Sequence, residues 1–169
     1  MNENTWDGRG WTALAMERYL TMVYRLAHAR TGSVQDAEDV AQDVMLRLSR
    51  HERSIRNEEH LKAWLIRATV NRANSLFRSA WRRKTLPLEA AARMERPEPP
   101  QHDALTDALS ALSPKQRVVV HLYYYEEMRV DEIAAALGIR PDAVKMRLSR
   151  ARAELRRRLN GKGEERDVP

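Results

Sequence analysis

The stretch Arg129–Leu159, RVDEIAAALGIRPDAVKMRLSRARAELRRRL, reads as a helix, a tight turn and a second helix. Val130 to Leu137 places Ile133, Ala134 and Leu137 at inward-facing spacing. Gly138 follows the last apolar residue, where a chain leaving a helix often turns through positive φ. Pro141 suits the first turn of the next helix, because its missing N–H is not needed there. Val144, Leu148, Ala151 and Leu155 then recur as a buried stripe. A rotation of about 100° per residue sends Asp142, Met146, Ser149 and Arg150 to the opposite side, with Lys145 and Arg152 flanking them. A short polar and basic face, held out by a supporting helix across a tight turn, is the form that fits the DNA major groove. An ordinary solvated helix pair is the alternative that this pattern leaves open.

The rest of the chain bounds what such a unit serves. Its 169 residues give room for one ordinary domain or two small ones. Cysteine is absent, which removes disulfides and thiolate metal sites. No apolar run approaches membrane-spanning length, and the opening MNENTWDGRGW lacks the basic-then-apolar order of a signal peptide. These features predict a cytoplasmic protein without membrane insertion. Lys and Arg number 30 against 24 Asp and Glu, a net +6 that favours a polyanionic partner. The distribution says more than the sum. Positive charge gathers in Arg78–Lys84 and Arg147–Arg158, and negative charge in Asp36–Asp43. Separate faces of opposite sign suit a chain that holds a protein and a nucleic acid at once.

Upstream of the opening stretch, every periodic segment is helical, so the fold class is all-α. A helix is expected from about Thr12 to Arg30, with Leu20, Val23, Tyr24 and Ala27 as its apolar stripe. Thr31-Gly32-Ser33 breaks it, and Ser33 is a good N-cap for a helix reaching about Arg50. That helix buries Ala37, Val40, Ala41, Val44 and Leu48 and carries Asp36, Asp39 and Asp43 in a row, with Gln42 and Arg47 beside them. Like charges so spaced repel, so the row gives an isolated helix nothing. A plain solvated acidic face would look the same. A polar connection, His51–Glu59, leads to a long helix from about His60 to Arg83. Leu61, Trp64, Leu65, Ala68 and Leu76 face inward. Arg67, Asn71, Arg72, Asn74 and Arg78 are expected on its outer face, followed by Trp81-Arg82-Arg83-Lys84. Cations interleaved with amides and an aromatic suit melted DNA, although basic residues also favour any helix C-terminus.

From Thr85 to His102 four prolines, Pro87, Pro97, Pro99 and Pro100, deny a stable helix across most of the segment, leaving at most a turn or two in Leu88–Met94. The expected organisation is therefore two small helical domains, residues 12–84 and 103–160, joined by a flexible linker, 85–102. The second opens with a short helix over Asp103–Leu112. Ser113-Pro114-Lys115-Gln116 then supplies an N-cap, a first-turn proline and a capping-box glutamine. The last helix is expected to end at Asn160-Gly161, and both tails to be loose. There is no Gly-rich phosphate loop, no His-rich ligand spacing and no nucleophile–base order, so no enzyme, metal or cofactor is expected.

Two segments taken together resemble one family. DAEDVAQDVMLRL (Asp36–Leu48), followed by WLIRATVNRANSLFR (Trp64–Arg78), is similar to the second domain of bacterial RNA polymerase sigma factors. LSPKQRVVVHLYYYEEMRVDEIAAALGIRPDAVKMRLSRARAELRRRL (Leu112–Leu159) is similar to their fourth domain. Two such domains with only a linker between them resemble the extracytoplasmic-function group. The resemblance implies a protein that binds core polymerase and selects promoters through their −10 and −35 elements. It implies that Asp39, Gln42, Asp43 and Arg47 meet the clamp helices of the largest polymerase subunit. Ile55, Arg56, Asn57, Glu58 and Glu59 would form the pocket for a flipped −10 base. Asn71 would contact a base, and Arg78, Arg82 and Arg83 the backbone. Lys145, Met146, Ser149 and Arg150, with Arg152, would read the −35 duplex. An anti-sigma protein is the implied inhibitor. The chain departs from the family pattern at Ala68-Thr69, where Ile-Ala is usual, and at Met45, where an aromatic is common. Met146 offers a base only apolar contact. A free-standing helix-turn-helix regulator and a helical adaptor that never touches DNA are the rival readings.

Overall fold

A computed structural model describes residues 10–84 and 103–164. The expectations for the extreme N-terminus, the Pro-rich linker and the last five residues fall outside the described residues. Every regular element among the described residues is helical.

The first half begins with α1 (Gly10–Leu14), continues through one π turn, Ala15–Tyr19, and runs on as α2 (Leu20–Thr31). Sequence periodicity predicts a single uninterrupted helix with Leu20 facing inward. In the structure Leu20 is 38% exposed, and the buried face is Leu14, Ala15, Met22, Val23, Leu26 and Ala27. These positions recur every four residues, which drifts round a regular α-helix. The wider π turn, which bonds residue i to i+5, takes up part of that drift. Gly32 closes α2 at φ +71°, its N–H on the His28 carbonyl at 2.8 Å. Ser33 caps α3 (Val34–His51) as expected, its side chain accepting from the Asp36 N–H. After a 3₁₀ turn, Glu52–Ser54, and an extended Ile55, α4 (Glu58–Lys84) crosses the bundle. Helices α2, α3 and α4 pack on one another, with α1 against α3. Thr69 is fully buried in α4, but its Oγ1 donates to the Leu65 carbonyl at 2.6 Å, so the departure at Ala68-Thr69 leaves no unsatisfied hydroxyl.

The second half runs α5 (Ala104–Ser110), α6 (Pro114–Val120), a π turn at His121–Tyr125, α7 (Val130–Leu137) and α8 (Pro141–Glu164). Ser113 and Gln116 form the expected capping box at the start of α6. Gly138 turns at φ +66°, and the Ile139 N–H reaches back to the Ala134 carbonyl at 3.1 Å. Helix α8 passes its expected stop and continues to Glu164. A glycine permits a left-handed exit without compelling one, and Gly161 keeps a negative φ, with no atom crowding it. Helices α5, α6 and α7 all rest on α8.

The two halves touch. Helix α2 packs on α6 and α4 on α7, and the buried apolar residues of both halves form one connected cluster. Arg117 of α6 spans the seam. It donates to the carbonyls of Ala29 (2.7 Å), Leu112 (2.9 Å) and Ser110 (3.0 Å). Among the described residues no helix is long and apolar enough to cross a membrane.

Candidate nucleic-acid and protein interfaces

In α8 the inward stripe is close-packed: Val144 and Ala151 are fully buried and Leu148 is 2% exposed. Leu155 is partly buried against the same core. Burying that stripe fixes the rotation of the helix, so Asp142, Lys145, Met146, Ser149 and Arg150 all face solvent. Met146, 52% exposed, is the apolar point on an otherwise polar surface. Arg152 is exposed too, but it is held. Its Nε donates to the Tyr124 hydroxyl at 2.7 Å, and its guanidinium lies 5.3 Å from the Tyr123 ring centroid. The hydrogen bond to the Tyr124 hydroxyl moves the Arg152 pKa further above its already high ordinary value. Tyr124, in the π turn, thus braces the basic flank of α8, a contact that helical periodicity could not announce.

Helix α3 presents Asp36, Asp39 and Gln42 to solvent. Asp43 is different. Its Oδ2 pairs with Arg47 Nε at 2.7 Å and with Arg72 Nε at 3.1 Å, tying α3 to α4. Arg72 therefore turns towards the bundle and not to the outer face expected for it. Asn74 does likewise, accepting from Arg30 Nε at 2.7 Å while the Arg30 guanidinium lies 4.5 Å from the Phe77 ring centroid. The outer face of α4 that remains is Arg67, Asn71 and Arg78, all exposed. Arg82 and Arg83 fall in the last turn of α4, and their side chains lie outside the described residues.

The loop before α4 is braced from beneath. Ile55 is 6% exposed and anchors it in the core. Asn57 starts α4, its Oδ1 accepting the His60 N–H at 2.7 Å. Glu58 accepts the Tyr19 hydroxyl proton at 2.8 Å, and burial together with that bond pushes the Tyr19 pKa up to about 12. Arg56, Asn57 and Glu59 remain at the surface. The five residues are contiguous, but only those three are presented outward.

Beside α3 lies a second, apolar feature that the sequence reading did not single out. A groove of about 680 Å³ runs between α2 and α3, lined by Met16, Leu20, Ala41, Gln42, Met45 and Leu46 among others. Met16 and Leu46 on its rim are 54% and 59% exposed. The signal for it in sequence was the surplus of apolar residues outside the buried stripes.

These faces define an all-α protein with a helix-turn-helix in one half and an acidic helix beside a basic one in the other. Residues 15–83 match the model for sigma-70 region 2, and residues 102–155 the model for sigma-70 region 4. The RNA polymerase sigma-E factor of Streptomyces coelicolor is 36% identical over 133 residues, covering 73% of this chain and 72% of that one. The ECF RNA polymerase sigma factor SigM of Mycobacterium tuberculosis is 33% identical over 146 residues, covering 84% and 74%. The chain belongs to the sigma-70 family of RNA polymerase sigma factors, in the extracytoplasmic-function group. It is a transcription initiation factor that directs core polymerase to promoters. Solved structures agree on the fold. CnrH, in complex with the cytosolic domain of CnrY, superposes with TM-score 0.61 at 25% identity, covering 89% of this chain and 88% of that one. RpoE of Bartonella quintana, in complex with the anti-sigma factor NepR, gives 0.71 at 24% identity, covering 88% and 96%.

Proposed function

We propose a division of the initiation task between the two halves, with residues 12–84 binding core polymerase and the −10 element and residues 103–160 binding the −35 element. The exposed row Lys145, Met146, Ser149 and Arg150, set by the buried stripe behind it, is the observation that carries this reading. Arg150 and Lys145 supply donors to guanine edges, and Ser149 bonds either partner of a base pair. Met146 contacts a thymine methyl. Arg152 meets phosphate from its tyrosine brace.

In the first half, Asp39 and Gln42 with the Asp43–Arg47 pair form the polymerase-binding face. Arg56, Asn57 and Glu59 above the buried Ile55 hold an unstacked −10 base, with Asn71 beside it and Glu58 bracing them from the Tyr19 hydroxyl. Extracting that base costs a few kcal/mol of stacking, and a loop already braced by Ile55 and Glu58 wastes none of the contact energy on ordering itself. Arg78, Arg82 and Arg83 follow the backbone. The protein works in the cytoplasm, carries no catalysis of its own, and is restrained by an anti-sigma protein covering these faces; the similar RpoE is itself solved in complex with the anti-sigma factor NepR.

Mapping run-off starts with purified core polymerase and a genomic promoter library tests the whole reading. New start sites sharing two upstream elements are expected. Starts identical to those of core alone would refute it. Specific binding to a palindromic duplex without polymerase would favour the free-standing regulator instead.

A further inference from the structure

A cleft of about 810 Å³ opens where α2 faces α5, α6 and the π turn after α6. Arg25, His28, Arg117 and His121 line it, and no carboxylate does. Glu126 stands behind one of them, its Oε1 3.4 Å from His121 Nε2. That nitrogen is buried and makes no hydrogen bond. Arg25 is exposed and has no ion-pair partner among the described residues. Arg67, the other arginine that joins the halves, donates through Nη2 to the Ala135 carbonyl at 3.1 Å and takes no part in the cleft.

Arg117 is only partly spent. Its Nε and Nη1 hold the three carbonyls already described, while Nη2 donates to none among the described residues. Nη2 lies beside Gly32, which also lines the cleft, and a Cβ at Gly32 would stand 3.6 Å from it. A longer side chain there would cover the nitrogen. The basic groups also act on one another. Burial first, and Arg117 second, hold His28 below the ordinary imidazole range. Burial does the same to His121, with Arg25 adding to it against Glu126. Like charges gathered without a counter-ion are relieved by a bound anion.

We propose that this cleft is a binding site for a small aromatic anion, a planar ring carrying a phosphate or a carboxylate. Arg25 and Arg117 Nη2 take the charge, and His28 gains a proton as the anion enters. Each half supplies a ring pair. Tyr24 and His28 stack with centroids 6.3 Å apart, and His121 and Tyr125 with centroids 5.3 Å apart. Tyr125 covers one face on His121 and is 59% exposed overall, which leaves ring surface for a planar ligand. Leu109 and Val120 add apolar wall. The volume falls within the range of about 300–1,000 Å³ that suits ligands of this size, and an inorganic ion would leave most of it empty. None of the lining residues belongs to the DNA or polymerase faces, so the site stands apart from the promoter-binding reading.

Calorimetry on the full chain tests the site with four probes: adenosine monophosphate, 2-naphthoate, adenosine and inorganic pyrophosphate. At least one of the two ring-bearing anions should saturate the protein, and the tighter of them names phosphate or carboxylate as the preferred charge. Adenosine, a ring without charge, and pyrophosphate, a charge without a ring, should each bind at least tenfold more weakly. Arg25→Gln should weaken the tighter probe about tenfold. Arg50→Gln should not, because Arg50 is exposed and sits about 24 Å along α3 from Val34 at the cleft. Binding at pH 7 should take up protons, read as a buffer-dependent heat, and His28→Gln should reduce that uptake. Dissociation constants weaker than about 1 mM for both ring-bearing anions would overturn the site. So would equal losses in Arg25→Gln and Arg50→Gln, which would mean attraction to a basic surface only. Pyrophosphate or adenosine binding as tightly as the ring-bearing anions would overturn the assigned ligand class, and uptake unchanged in His28→Gln would overturn the role given to His28.

Discussion

Arg117 Nε stands 2.7 Å from the carbonyl oxygen of Ala29, eighty-eight residues away in sequence, and the same guanidinium holds two further carbonyls in its own half. Burial lowers its pKa, yet it remains a cation, since arginine does not lose its proton in proteins. Arg117→Ala leaves three carbonyls at helix ends without this donor. A loss of about 2 kcal/mol is expected in urea denaturation, because hydrogen bonds to charged groups count for about 1.5–3 kcal/mol each and part of the site is wet. Arg117→Lys should recover only a fraction, because one ammonium cannot reach all three oxygens in the planar fork geometry. Equal stability of the wild type and Arg117→Ala would show that water replaces the side chain at no cost.

Two histidines near the same seam give it a pH dependence. Burial holds His28 below the ordinary imidazole range, and the neighbouring Arg117 adds to the effect. Burial does the same to His121; Glu126 opposes it and Arg25 assists. The unfolded chain therefore takes up protons at a higher pH than the folded one. Stability from these groups is complete above the unfolded imidazole value, near 6.5, and is lost as pH falls from there towards the depressed folded values. Melting temperature should drop between pH 7.5 and pH 5.0, and the drop should shrink in the double variant His28→Gln, His121→Gln. An unchanged drop in that variant would assign it to carboxylates.

How far the sequence alone carries this fold depends on the distance over which each signal acts. Ser33, Ser113 with Gln116, and Gly138 act within one turn, and each ends or starts a helix where its chemistry says it should. The α8 stripe likewise fixes which side faces solvent. Leu20 escapes the pattern because a π turn upstream alters the helix phase, and nothing local to Leu20 reports that. Arg72 and Asn74 look like outward decoration until α2 and α3 are placed beside them, when Asp43 and Arg30 take them up. Ile55 is a lone apolar residue in a polar loop, and only the tertiary fold turns it into an anchor. The Arg117 and Arg67 bridges join residues 88 and 68 positions apart, beyond any periodicity.

The acidic row on α3 separates into two kinds of residue, which matters for any test of the polymerase face. Asp43→Arg would remove the pairs to Arg47 and Arg72 and set three cations together, so lost polymerase binding could reflect a damaged bundle. Asp39 is exposed one turn earlier. Asp39→Arg is expected to weaken assembly with core polymerase by at least tenfold in a pull-down titration while leaving the melting temperature within about 1 °C, as surface substitutions away from packed features cost little. Undiminished assembly would take the row out of the interface.

On α8 the decisive substitution is Arg150→Ala. The side chain is exposed on a helix whose rotation is fixed by Val144, Leu148 and Ala151, so truncating it disturbs no packing. Discrimination between the correct −35 element and a scrambled one should fall by about 1–3 kcal/mol, the range for losing a bidentate base contact. Core binding should be unaffected. Arg152→Ala should behave differently. It frees Tyr124 and removes a contact expected on phosphate, so affinity should fall for correct and scrambled DNA alike, with a shallower salt dependence. Measuring both variants on both duplexes across a salt series separates base reading from backbone holding. If Arg150→Ala lowers affinity for the two duplexes equally, the base-reading face of α8 lies on the other flank of the helix, and Lys145 becomes the residue to vary.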